Sequence, residues 1–157
     1  MNADASSIAL PAHRYLPGRN ERHAEDAFDH VKALAARETS DATASENIAW
    51  QYGLRLFNHG FYWETHEVLE EVWMRALPNS RERWLVQCVI HLANGALKKD
   101  LGQQRAALRL AGLARECSQR AFAGGEGSVM GLSGNEVGTI CVALEGAGDE
   151  LSLGNPC

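Results

Sequence analysis

The sequence predicts an all-α domain, on three observations. Apolar residues recur at helical spacing over five successive stretches, capping and Gly/Pro signals separate those stretches, and no run alternates with the period of a strand. Short connections favour antiparallel neighbours, so the fold class is a compact single-domain array of about five to six helices. The chain of 157 residues, with 45% hydrophobic and 22% charged residues, is long enough to bury a real core and too apolar to be disordered throughout.

Residues 1–23 read as an extended arm, because Pro11 and Pro17 interrupt them and Leu10-Pro11 through Tyr15-Leu16-Pro17-Gly18 shows no helical period. The helical core spans residues 24–122. Ala24, Ala27, Phe28, Val31, Leu34 and Ala35 predict a first helix over 24–37. Thr43 with Glu46 has capping-box spacing for a second, which stops at Asn58-His59-Gly60, where Gly60 supplies a left-handed cap. A third runs from Phe61 to Ala76 and ends before Pro78. Asn79 with Glu82 can cap a fourth, whose Trp84 to Lys99 run is mostly apolar, and Gly102 ends it. A fifth covers Gln103 to Phe122.

Residues 123–157 form a Gly-rich tail, since nine of the fifteen glycines lie there. Within it Ser133 and Glu136 have capping-box spacing and lead into Val137, Ile140, Cys141 and Leu144, which predicts a short helix near 134–145.

Composition excludes several partner classes. A net charge of -5 without a long Lys/Arg run argues against nucleic acid. No apolar run approaches the ~20 residues that span a bilayer, and the first 25 residues lack the apolar stretch of a leader, so the chain reads as unexported, cytoplasmic and off the membrane. Cys88, Cys117, Cys141 and Cys157 are widely spaced, which fits reduced thiols better than a disulfide frame or thiolate zinc site, and Cys88 reads as inert core. A protein partner or a second copy of the chain stays open.

The densest chemistry lies between Asn58 and Trp73. At about 100° per residue, His66, Glu70 and Trp73 share a face with Tyr62 and Leu69, while Glu64, Glu67 and Glu71 share an adjacent one. The first face sets an imidazole and a carboxylate one turn apart among apolar side chains, where the carboxylate needs hydrogen bonds, a cation or a metal. His66 and Glu70 could thus be two ligands of a divalent metal ion of unspecified identity, with His91, or His23 carried in by the arm, as a third. As a plain alternative the pair is a buried hydrogen-bonded tie that orients the third helix, ahead of metal ligation, with acid–base work the least favoured use. Position 70 is Glu rather than His, which weakens a zinc-protease reading. The second face reads as a solvated acidic surface with Glu71 paired to Arg75. Glu67 or Glu64 could act there as a base for metal-assisted hydrolysis. Gln87, His91, Asn94 and Lys98 form one polar stripe on the fourth helix. Turned inward, that stripe would meet His66 and Glu70 in a pocket shaped also by Tyr62 and Trp73.

The string Phe57-Asn58-x-Gly60-x-Tyr62-Trp63-Glu64-x-His66-Glu67-x-x-Glu70-x-x-Trp73, followed by Arg83 and the apolar run Val89 to Ala93, resembles the prokaryotic family named domain of unknown function 309. The resemblance spans residues 10–120 and implies a compact all-helical domain and, by pattern alone, metal binding at His66 and Glu70. Members of that family often carry Gln where this chain has His91. The leading functional reading is therefore a polar, divalent-metal-binding site between the third and fourth helices, and the alternative is a non-catalytic interaction or scaffold module in which the His/Glu motif is a structural hydrogen-bond network.

Overall fold

The computed structural model describes residues 4–146 and 151–154. Among them are six α-helices: α1 (Asp29–Lys32), α2 (Ile48–Asn58), α3 (Tyr62–Met74), α4 (Arg81–Asp100), α5 (Gln104–Ala121) and α6 (Gly134–Leu144). Two 3-10 helices, Ala5–Ser7 and Asp41–Glu46, complete the set. The described residues hold no strand beyond two isolated bridges, and no described helix is long and apolar enough to cross a membrane.

Helix α4 is the central element. Its Leu85, Val86, Val89, Leu92, Ala93 and Ala96 are fully buried, and it packs against α3, α5 and α6, while α2 packs on the other side of α3. Two glycines permit close approach. A Cβ on Gly53 would stand 2.4 Å from Leu69 Cδ2, and one on Gly95 would stand 2.8 Å from Leu144 Cδ1. Overpacking at such points costs roughly 1–3 kcal/mol. The turn into α3 is made by Gly60 at φ 82°, the left-handed cap the sequence predicts. Ser133 and Glu136 form the reciprocal capping box of α6, at 3.1 and 2.8 Å.

The helix starts differ from the sequence expectation in three places. The first helix shrinks from 24–37 to the four residues of α1, flanked by turns. Its backbone groups are taken elsewhere: Asn47 Oδ1 accepts from Ala36 N–H, and the Arg75 guanidinium donates to the carbonyls of Ala35 and Ala36. With those groups satisfied by tertiary partners, a costly helical nucleus gains nothing further there. α2 is capped by Asn47, whose Oδ1 accepts from Trp50 N–H, and not by Thr43, which pairs with Ser40 at 2.9 Å. α4 is capped by Ser80, one residue after Asn79. Asn79 itself sits at φ 62° in the turn.

The arm lies on the core. The Tyr52 hydroxyl donates to the Ala9 carbonyl, Arg55 to those of Ala5 and Ile8, and Arg14 to that of Gly60. The Gly-rich tail also folds inward, burying Val129, Met130, Leu132 and Leu153. Trp50 Nε1 donates to the Met130 carbonyl, and the Asn58 amide brackets Leu153 with bonds of 2.6 and 2.7 Å. Cys88, Cys117 and Cys141 are free and buried, and burial pushes each thiol upward, Cys88 farthest. Cys157 lies outside the described residues.

Candidate functional site

Helix α3 presents four carboxylates within eight residues, and each has a different partner. Glu64 is 0% exposed, although the sequence places it on a solvated face. Its Oε2 accepts from Tyr15 N–H at 2.7 Å and from His23 Nε2–H at 2.8 Å, while Oε1 is buried with no hydrogen-bond partner. Glu67 meets Lys32 of α1 at 3.4 Å. Glu70 meets His66 at 2.8 Å, and Glu71 accepts from Arg75 Nε at 2.8 Å, the i, i+4 pairing the sequence suggests.

Glu64 is thus far more covered, and Glu70 far more exposed, than the expected arrangement, while Tyr62 and Leu69 on the His66 face stay buried and Glu67, Glu71 and His66 are covered to similar degrees. The Glu64, Glu67 and Glu71 face is covered by the arm, by α1 and by the segment before Thr39, whose hydroxyl donates to the Val72 carbonyl at 2.6 Å. The His66 and Glu70 side chains are 26% and 50% exposed, so this pair lies in a far wetter place than an apolar helix face implies. The physical reason is non-local. The wheel fixes which residues share a face, and the path of the arm decides which face is closed.

Around Glu64 the arm builds an aromatic collar. His23, whose side chain is 9% exposed, stacks on His13 at 4.4 Å between ring centroids and on Trp63 at 5.8 Å, and meets Phe28 edge-on at 5.3 Å. Tyr15 sets its ring edge-on to Trp63 at 5.0 Å, and Arg22 lies over the same indole. The arm does deliver His23 to α3, but to Glu64 and not to His66 and Glu70. Only the Tyr15 backbone amide, which has no sequence signal, completes that grip.

The polar stripe of α4 keeps to itself. The Gln87 amide donates to His91 Nε2 at 3.2 Å, and His91 Nδ1 is buried without a partner. Asn94 and Lys98 are half-buried, and among the described residues neither side chain forms a hydrogen bond or ion pair. No described hydrogen bond or ion pair joins this stripe to His66 or Glu70. Tyr62 packs on Phe57 at 5.3 Å, and burial, with Asp100 second, pushes its phenol up to about 12. Trp73 lies beneath the Arg83 guanidinium, 3.9 Å from its carbon to the ring centroid.

Burial, and then Arg109, lower the His91 imidazole from its ordinary value near 6.5. A base whose folded pKa is depressed favours folding above the unfolded value, and that contribution is lost as pH falls from about 6.5 through the folded pKa. Wild type is therefore expected to lose stability faster than His91→Gln as pH drops from 7.5 to 5. Urea midpoints across that range check this, and parallel profiles would contradict it.

As a metal centre, His66 and Glu70 supply two converging donors. Among the described residues no group of three His, Cys, Asp or Glu side chains converges in a way that could hold an ion. A protein site normally assembles three or four such ligands, so this pair alone does not fit one.

Fold and site together define a small helical domain strapped by its own N-terminal arm, with an acid-rich third helix as the tie point. Residues 50–110, from within α2 to the middle of α5, match the model of the family described as Domain of unknown function (DUF309). No curated protein and no solved structure matches the chain.

Proposed function

We propose that the chain is a cytoplasmic, non-catalytic helical interaction module in which the acids of α3 are structural ties. One observation carries this reading: each of the four carboxylates has a partner within the fold, joining α3 to the arm, to α1 and to itself. A hydrolytic role asks for a base that reaches substrate or water. Glu64 is sealed beneath the arm and Glu67 is held by Lys32, so neither is free for that work. His66 with Glu70 then acts as a partly exposed i, i+4 pair, an interaction of about 0.3–0.5 kcal/mol. The buried free thiols Cys88, Cys117 and Cys141 suit a reducing compartment.

The competing reading is a divalent ion on His66 and Glu70. Elemental analysis of protein purified without a metal-affinity tag, beside His66→Ala and Glu70→Gln, separates the two. The module reading expects no stoichiometric metal, melting unchanged by chelator, and variants within about 0.5 kcal/mol of wild type. Near-stoichiometric metal lost in both variants would make this face a metal centre and overturn the proposal.

A further inference from the structure

Where α3 ends and α4 begins, a cleft of about 170 Å³ opens between Trp73, Pro78, Asn79, Arg83, Trp84 and Gln87. Two indoles line it, and each carries a guanidinium. Arg83 stacks on Trp73 at 3.9 Å while its Nη1 donates to the Ala76 carbonyl at 3.0 Å, and Arg120 of α5 lies over Trp84 at 4.6 Å. Among the described residues neither guanidinium is paired with a carboxylate, whereas neighbouring Arg75 and Arg81 are paired with Glu71 and Glu126 at 2.8 and 2.9 Å. A guanidinium held over an indole has already lost most of its rotamer freedom, and among the described residues Arg83 Nε and Nη2 form no hydrogen bond, which leaves an edge suited to grip a carboxylate in two places.

Size and surroundings narrow the occupant. A drug-sized ligand needs roughly 300 Å³ or more, so this cleft takes about one side-chain ring. Beside it Met74 and Leu77 are 60% and 57% exposed, an apolar surface that a single small molecule in the cleft would leave uncovered. Aromatic and arginine residues around a small pocket with an apolar rim are the composition of an interface anchor point. The chain carries a net charge of -5, so attraction for an acidic partner is local to these two arginines and acts within about a Debye length, ~8–10 Å.

We infer that this cleft docks an acidic segment of a protein partner, with one aromatic side chain inserted beside Trp73 and Trp84 and a neighbouring carboxylate forked on Arg83. The inference rests on the interaction-module reading and names its recognition surface and the chemistry of its partner.

The test is a titration of tryptophan-labelled protein, read at the four indole N–H resonances, with the N-acetylated peptide Glu-Phe-Glu-Asp. Saturable shifts at Trp73 and Trp84 are expected, with Trp50, sealed in the core, and Trp63, covered by the arm, unmoved. Peptides Lys-Phe-Lys-Lys and Glu-Ala-Glu-Asp should bind at least about tenfold more weakly, as should Arg83→Lys, which keeps the charge but loses the fork. Arg120→Gln, at an exposed position, gives a second weakened variant should Arg83→Lys disturb the turn. Equal binding of acidic and basic peptides, shifts at all four indoles, or no binding at millimolar peptide would overturn the inference. So would 3-phenylpropionate binding as tightly as the peptide, which would make the cleft a small-acid site. The metal analysis fails separately. Stoichiometric metal with intact peptide binding refutes the module's structural motif alone, and no metal with no peptide binding refutes the cleft alone.

Discussion

Replacing Glu64 with alanine is expected to lower unfolding free energy by roughly 2–5 kcal/mol, the cost of leaving two buried donors without their acceptor. The carboxylate is fully buried, and its loss strands His23 Nε2 and the Tyr15 amide together. Glu64→Gln preserves shape and one acceptor oxygen, so it should cost less, roughly 1.5–3 kcal/mol for a charge-assisted hydrogen bond weakened in place. The damage should begin locally. With its grip on α3 gone, the arm opens below the global unfolding free energy, and trypsin should cut after the exposed Arg19 and Arg22 faster than in wild type. Urea denaturation gives the first quantity and limited proteolysis the second. A loss under 1 kcal/mol with unchanged cleavage would mean the arm is held elsewhere.

The second large effect is at Trp50. Its ring is fully buried on α2, and Nε1 donates at 3.1 Å to the carbonyl of Met130, which sits at φ 50° in the Gly-rich tail. Trp50→Ala combines a large cavity with an orphaned buried carbonyl and should cost about 3–5 kcal/mol. Trp50→Phe keeps most of the apolar contact and isolates the hydrogen bond, for an expected loss of roughly 1–3 kcal/mol. Thermal or urea unfolding of both variants checks the order. A Trp50→Phe loss near zero would show that the indole nitrogen does nothing for the tail.

The long helices were legible because their signals are local. The apolar run of α4, the recurrence of Leu110, Ala114 and Cys117 on α5, and the capping box of α6 all lie within a few residues of what they specify. The short α1 was overestimated for the opposite reason, since Asn47 and Arg75 claim its neighbours' backbone from a distance of many residues. The tail read as loop because Val129, Met130, Leu132 and Leu153 bury singly, with no period to detect. At the site, the wheel sorted α3 into two faces correctly, yet the closing of one of them depends on a contact between His23 and Glu64, 41 residues apart. The cleft at Trp73 and Trp84 was illegible for the same reason, because Trp84 is met by Arg120 from another helix.

If α3's acids hold the fold together and Glu64 latches the arm, His23 and Glu64 are energetically coupled, which a double-mutant cycle of His23→Ala and Glu64→Gln in urea denaturation measures. A coupling energy of about 1–3 kcal/mol between the two positions is expected. Losses that add to within about 0.3 kcal/mol would contradict it, since independent sites carry no latch between them.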